Sequence, residues 1–544
     1  DRDAIAASED PRWGDSDHRK WIPADSLWAN DSSFNNRYSG KWPQLDMVGS
    51  SGYETKDEDG NTVKNYYTDS LGNRLAKFSD FAGEIQLIPS SDPRCDRSES
   101  QDTGYGTCLA VDTTSMANGE YYINPGQFRD YRGELERDNT FIFINHELNN
   151  GTELFAELGQ YNSEYRRLKE PAGDFSTALL NIGSDYYYAN QIGLTAQNIA
   201  SQEAENAIRV ADGKSPKSIK TNIRIDNWRP DIGPRIINVD KDTSRYLVGL
   251  RGTTDSGWDW ETAILQTKAK SKDLTQNRLS NSLLEAGLAD STSSAINIFS
   301  SDVKAALAPA IIDVYRNDTS ELSTFDFKAS NPEIFNLPAG PVAMLVGFEY
   351  RKEEYSDDRD PRLDGTIRFS STVTGLTFPF VGDVLGSSPT ADTTGERETN
   401  SIFAEFILPL ADNIESQIAL RHEDPDDTES STVGKFALGW DVSENLSLRG
   451  SFSTSFRVPN LIQKNQLYVT RYGGVDDAVG EYIGGNNDFA LDDRYSIQSF
   501  RIGNPDLKPE ESDNYSVGFV WTPEIIEGLT ITYDEWSIEK ENTI

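Results

Sequence analysis

The chain has 544 residues and a formal charge of −38, from 89 acidic against 51 basic residues, and only 36% of it is hydrophobic. That length exceeds one ordinary domain, so it needs either several cores or one large architecture. So acidic a surface repels nucleic acid, while 41 glycines, 10% aromatics and three methionines disfavour a large helical core and suit an all-β protein with many turns.

No run of 18 apolar residues exists, so no transmembrane helix is expected. The longest uncharged apolar stretch, Phe335–Phe348, is broken by Pro338, Gly340, Pro341 and Gly347. A β-barrel escapes that test, because each strand needs only about 9–11 residues and alternates in sidedness. Asp1-Arg2-Asp3 does not open a signal peptide, which has a basic start and an apolar core. Either processing has removed one or the chain begins inside a longer protein, and the pattern along the chain favours the second.

In chain order, residues 1–138 are polar and aromatic with few clean alternations, and read as one very long outer loop. Within them Cys95 and Cys108 lie in the polar stretch DPRCDRSESQDTGYGTC. The pair suggests a local disulfide made in an oxidising compartment. The alternative is two free thiols in a reducing cytosol; a zinc site has no further ligands nearby. Asp57-Glu58-Asp59-Gly60-Asn61 is faintly like a calcium loop but lacks the distal bidentate Glu, which favours a plain acidic turn.

Residues 139–544 carry a rhythm of strand, short turn, strand and long polar loop. Thr140–Leu148 and Thr152–Tyr161 flank Asn149-Asn150-Gly151, whose Asn-Gly step takes positive φ cheaply. Arg245–Thr253 and Trp258–Lys268 form the next hairpin, then Phe325–Ile334 with Val342–Lys352, and Ser401–Leu408 with Ile414–His422. Phe436, Leu438, Trp440 and Val442 alternate with polar or small residues. After Ser443-Glu444-Asn445 the period of two resumes through Leu446, Leu448, Gly450, Phe452, Thr454 and Phe456. Tyr515–Trp521 and Leu529–Ile538 close the series. The connections between hairpins, roughly 162–244, 269–324, 353–400, 423–432 and 457–514, mostly exceed what compact soluble domains tolerate. Short turns at one end and long loops at the other mark an outer-membrane barrel. Ser201–Ala211, with Ser201 as cap, and Ile296–Tyr315, kinked at Pro309, read as helices within the loops.

Several constellations are weighed against blander readings. Ser301-Asp302-Val303-Lys304 fits S-x-x-K and Ser512-Asp513-Asn514 fits S-D-N, but the third mark of a serine β-lactamase, K-T-G, is missing. His18, His146 and His422 are far apart and form no metal motif. Acid pairs such as Glu353-Glu354 or Asp426-Asp427 imitate a glycosidase dyad, yet among 89 acids any choice is arbitrary. Trp13, Trp21, Trp28, Trp42, Tyr468 and Tyr472 suit stacking on a sugar or aromatic ligand; the alternatives are an interfacial girdle and loop packing. No catalytic, cofactor or metal residue is assigned, and no enzyme activity is expected.

Four stretches resemble the TonB-dependent receptor family. RGSFSTSFRVPNLIQ (Arg449–Gln463) is similar to its late strand followed by Phe-Arg-x-Pro, here Phe456, Arg457 and Pro459. NPDLKPEESDNYSVG (Asn504–Gly518) matches its pattern at Asn504, Pro505, Leu507, Pro509, Glu510, Ser512 and Asn514. LPAGPVAMLVGFEYRKE (Leu337–Glu353) and GLTITYDEWSIEKENTI (Gly528–Ile544) resemble two of its hairpins. With WDWETAIL at Trp258–Leu265, the resemblance covers about residues 130–544.

The resemblance implies part of a 22-stranded antiparallel transmembrane barrel, of which about twelve strands are counted here. The plug, the segment that binds TonB and the last strands are expected outside this chain, because twelve strands alone leave two unpaired edges in lipid. It implies uptake of a scarce nutrient, a siderophore, cobalamin or oligosaccharide, across the bacterial outer membrane. The partners implied are TonB, outer-membrane lipid and lipopolysaccharide, and a small ligand. Rival readings are a non-transport barrel, such as an adhesin or porin, and a secreted all-β carbohydrate-binding protein or enzyme. On this reading Phe452 faces lipid and Ser453 faces the lumen.

Overall fold

Alternating apolar and polar side chains have only one satisfactory home, a strand with one face in oil and one in water. The computed structural model describes residues 1–27, 38–48, 52–75, 84–110, 121–173, 180–476 and 494–543. Twelve long strands form one antiparallel sheet, each paired with its neighbours in chain order. They are β1 (Glu134–Glu147), β2 (Glu153–Lys169), β3 (Arg235–Thr253), β4 (Asp259–Leu279), β5 (Ile311–Leu337) and β6 (Gly340–Arg359). Then come β7 (Thr393–Ala411), β8 (Ile414–Pro425), β9 (Ser431–Ser443), β10 (Leu446–Arg457), β11 (Glu510–Trp521) and β12 (Ile531–Glu541).

Six short turns lie at one rim, and at the other are the connections 170–234, 280–310, 360–392, 426–430 and 458–509. The connection read as 423–432 shrinks to a tight turn, because the β8–β9 ladder continues to Glu423 opposite Ser431. The strands also run further than their apolar alternation. β5 has 27 residues, more than twice what a bilayer crossing needs. Past the belt both faces become polar: Lys270 and Lys272 on β4 stand opposite Asp242 and Asp240 on β3.

The outward face carries the apolar belt. Phe436, Phe452 and Tyr515 are successive cross-strand neighbours in one row, and Phe452 is 50% exposed. Leaving such rings in water forfeits about 1.5–3 kcal/mol each, a loss that lipid removes. Trp440 and Trp521 stand near the short-turn rim, and Tyr515 lies six residues up β11 from Trp521. Six residues advance about 20 Å along a strand, which a tilt of about 40° reduces to about 15 Å of height, so the two Trp rings mark the lower edge of the belt and Tyr515 lies near its middle.

The inward face is polar and mutually neutralised. Glu153 pairs with Arg251 at 2.7 Å, Glu157 with Arg245 at 3.2 Å, and Glu261 with Lys328 at 2.8 Å. Two inward rings are given room by a glycine opposite: Phe155 lies over Gly249 and Phe403 over Gly347. Arg251 and Arg421 then cover those rings, 5.3 and 5.4 Å from the centroids, adding cation–π attraction.

At the long-connection rim the logic inverts, and apolar residues turn inward as in a water-soluble domain. A six-stranded sheet combines Gln44–Asp46, Glu84–Pro89, Gln101–Asp102 and Thr107–Ala110 with Asn181–Ile182 and Ile223–Asp226. The region before β1 and the first long connection therefore share one sheet. Leu45, Ile85, Leu109, Ile182, Ile225 and Trp228 are buried in one cluster with residues of the next two connections, such as Leu284, Phe299 and Phe369.

The loop helices differ from the sequence expectation. α1 spans Leu194–Ala211, capped at Gly193 with φ 72°, and Ser201 is buried in its interior instead of starting it. Its buried face is largely polar: Asn198 and Gln202 donate to Lys220 O at 3.3 and 2.6 Å. Of Ile296–Tyr315, only Val303–Leu307 is α-helical; Pro309 sits in a 3-10 turn and Ile311 already begins β5. Pairing with β4, Val314 opposite Thr275, overrides the local helical spacing.

Candidate functional site

The six-stranded sheet and the loops packed with it form a cap that meets the polar lumen wall at the mouth of the barrel, and two buried carboxylates hold the loops of this cap together. Asp383, fully buried, accepts from Ser280 Oγ at 2.8 Å and Ser282 N at 2.7 Å and pairs with Arg362. Glu285, 1% exposed, accepts from Ser371 Oγ at 2.5 Å and from Thr372 N at 2.6 Å. Each joins connection 280–310, at α2 (Asn281–Ala289), to connection 360–392. Buried acids persist only when so satisfied. Tyr186 donates to Ile296 O at 2.6 Å, and burial pushes its hydroxyl pKa well up.

The cap contains a cavity of about 790 Å³ lined by Asp46, Met47, Lys220, Arg224, Val373 and Leu376, among others. Both charges and apolar stems reach it, which suits an amphipathic small molecule. Cys95 and Cys108 form a disulfide with Cα atoms 5.9 Å apart. Beside it Asp92 is held well below the usual carboxylate range, first by the Arg94 guanidinium and then by the Tyr121 hydroxyl.

The residues of the two family-like stretches meet at the foot of the last long connection. Arg457 pairs with Glu510 at 2.9 Å as β10 and β11 begin their ladder, while Phe456 stands opposite Glu511. Asn514 Nδ2 donates to Ser455 Oγ at 2.7 Å, and Ser512 Oγ to the same oxygen at 3.3 Å. Pro459 O accepts from Arg397 Nη2 at 2.7 Å. Arg397 is 3% exposed and forks onto Asp427 at 2.6 and 2.7 Å, and Lys464 donates to Asp427 O. Asn504 N donates to Gln463 O at 2.9 Å, and Leu507 O accepts from Thr428 Oγ1 at 3.0 Å. Pro505 and Pro509 bracket that turn, where lost N–H donors do least harm. These contacts tie β10, β11 and the turn at 426–430 to one another. The hub at Arg397 and Asp427 had no sequence signal beyond the strand and turn that carry it.

Other sequence candidates scatter. Trp42 is a core residue, 7% exposed and edge-on to Tyr121 at 5.9 Å, so its stacking role falls away. Trp13 and Trp21 are half exposed, and Tyr468 stacks on Phe500 at 5.1 Å. Trp28 and the Tyr472 side chain lie outside the described residues. Ser301 is a cap residue whose N–H donates to Tyr105 O, and Asp302 caps the short helix holding Lys304, far in sequence from Ser512. His18 and His146 stand apart, and His422 Nδ1 meets Thr432 Oγ1 at 2.8 Å on the outer face. Asp57 accepts from Asn61 N at 2.8 Å and Asp59 N at 3.0 Å, with Gly60 at φ 82°. Asp69 does the same with Asn73 and Leu71. In both turns these bonds, led by the Asn, lower the Asp pKa, so the carboxylates serve the turns. Among the described residues no group of three or more His, Cys, Asp or Glu is placed to hold a metal ion.

No curated protein matches the sequence. Among solved structures, the RagAB peptide transporter is similar at 12% identity and TM-score 0.41, over 74% of this chain and 40% of that one. The siderophore receptor PirA from Pseudomonas aeruginosa is similar at 10% and 0.36, over 75% and 52%. PirA from Acinetobacter baumannii is similar at 12% and 0.36, over 93% and 68%. The chain thus spans about two-fifths of the RagAB chain and about half of the first PirA. Residues 199–544 match the family described as TonB dependent receptor-like, beta-barrel, and the chain belongs to that family.

Proposed function

We propose that the chain is the ligand-capturing barrel part of a TonB-dependent outer-membrane receptor that takes up a scarce nutrient. The observation that carries this reading is the inversion of polarity along the strands. An oil-facing belt with a polar lumen is surmounted by a cap whose apolar residues turn inward. A barrel in lipid with a water-facing cap is what capture outside and passage through requires. Residues 1–138 are assigned to the outside with the long loops, where an oxidised Cys95–Cys108 pair is at home, and 139–544 to the membrane strands and their loops. The lumen then carries the cargo, TonB supplies work through a plug from the rest of the protein, and this part performs no covalent chemistry. Siderophore, cobalamin, oligosaccharide and peptide are the cargo classes to separate. Uptake of labelled examples of each, compared between a deletion strain and the same strain carrying the full-length gene, tests it. Uptake restored for one class, and abolished when TonB is removed, is the expected result. Restored uptake that persists without TonB would turn the reading towards a passive porin.

A further inference from the structure

Positive charge converges on one place in a chain that is otherwise strongly acidic. Where β2 ends and β3 begins, Lys169 and Arg235 are direct ladder partners on the lumen face. Like charges so placed repel each other. The charges of Arg129 and Arg167 act on the same Lys169, and that of Arg235 acts on Arg278 at the end of β4.

Two acids face this group. Glu170 lies 3.0 Å from Arg129 and 3.9 Å from Arg235. Asp130 is engaged by the backbone N–H of Leu168 at 2.7 Å. Arg167 donates to Asp130 O at 3.4 Å and Arg235 Nε to Glu170 O at 2.8 Å, so carbonyl oxygens take up some donors without cancelling charge. Arg278 is the extreme case. It is 8% exposed and donates to Leu385 O at 3.0 Å and Ser387 Oγ at 2.7 Å, while its Nε has no acceptor. Among the described residues no carboxylate lies within ion-pair distance of it. A buried cation without a counter-charge is costly, and an arriving anion would relieve it. Guanidinium forks fit carboxylate and phosphate oxygens, and a lumen-facing position puts them beyond reach of the lipid outside.

We propose that this throat is an anion-recognition site, with Lys169, Arg235 and Arg278 as binding groups for a cargo bearing carboxylate or phosphate. It rests on the uptake reading only in calling the anion cargo; the binding itself is independent. Calorimetric titration of full-length protein in detergent, with citrate and with inorganic phosphate as probes, tests it. One or both bind the native protein, more weakly as salt rises. Lys169→Gln and Arg235→Gln each lower the affinity about tenfold or more. Lys270→Gln and Lys272→Gln, on the outer face, leave it unchanged, and heat-modifiable migration shows that each variant is folded. Absence of binding by folded native protein, or equal affinity in K169Q and K270Q, overturns the site. Uptake with no anion binding would sink the site and spare the receptor reading; anion binding with no uptake of any class would do the reverse.

Discussion

Replacing Phe452 by Arg tests which face of the sheet meets lipid. Phe452 points outward between Phe436 and Tyr515, two residues below the row of Leu420 and Gly434. An Arg there has no counter-ion in hydrocarbon, at a cost of about 2–4 kcal/mol near the midplane. Losing the two aromatic neighbours adds about 0.2–1 kcal/mol each. Ser453 is the internal control, because its side chain points into the water-filled lumen opposite Lys435 and Asn514. Ser453→Arg meets one like charge across the ladder, worth at most about 1 kcal/mol. Denaturant titration of the full-length protein refolded into lipid vesicles reads both values, with heat-modifiable migration as the test of a closed barrel. Phe452→Arg should lose several times the stability that Ser453→Arg loses. Equal losses, or a larger one at Ser453, would refute the assignment of faces and with it the belt.

Arg397→Met leaves Asp427 with Lys464 alone and frees Pro459 O, so stability should drop by about 3 kcal/mol and proteolysis between β10 and β11 should quicken. Gly249→Ala places a methyl group against the Phe155 ring and 2.7 Å from Thr262 O. It should cost about 1–3 kcal/mol in the same titration, and Phe155→Leu in the same chain should recover part of it. Reducing Cys95–Cys108 should destabilise the cap by about 3 kcal/mol or less while the barrel keeps its heat-modifiable migration. Asp92 has a depressed pKa in the folded cap, so its contribution is complete above the unfolded carboxylate value of about 3.9 and is lost as pH falls through the lower folded value. Asp92→Asn should therefore flatten the acid limb of cap unfolding followed by near-UV circular dichroism, and an unchanged limb would count against the Arg94 pairing.

What the sequence made legible is what lipid forces on it. Phe436, Phe452 and Tyr515 read outward because hydrocarbon tolerates nothing polar there, and period two follows whatever the partner strand. Above the belt that constraint lapses. Lys268, Lys270 and Lys272 still alternate, but water lies outside and a polar lumen inside, so the strand ran on without a hydrophobic signature. In the cap the signal is lost for another reason. Leu45, Ile182, Ile225 and Phe369 come from distant segments with only a few apolar residues each, and their burial exists only once the segments meet. α1 shows the same thing within one helix, since the buried Asn198 and Gln202 donate side-chain amide hydrogen bonds to Lys220 O, and no count of apolar residues would find that face. The throat combines both difficulties. Lys169, Arg235 and Arg278 look like solvated charges when read in order, and become a cluster only when β2, β3 and β4 are laid side by side. The membrane constrains each belt residue singly, so those can be read in chain order, whereas the cap and the throat are constrained only through one another, once the segments have met.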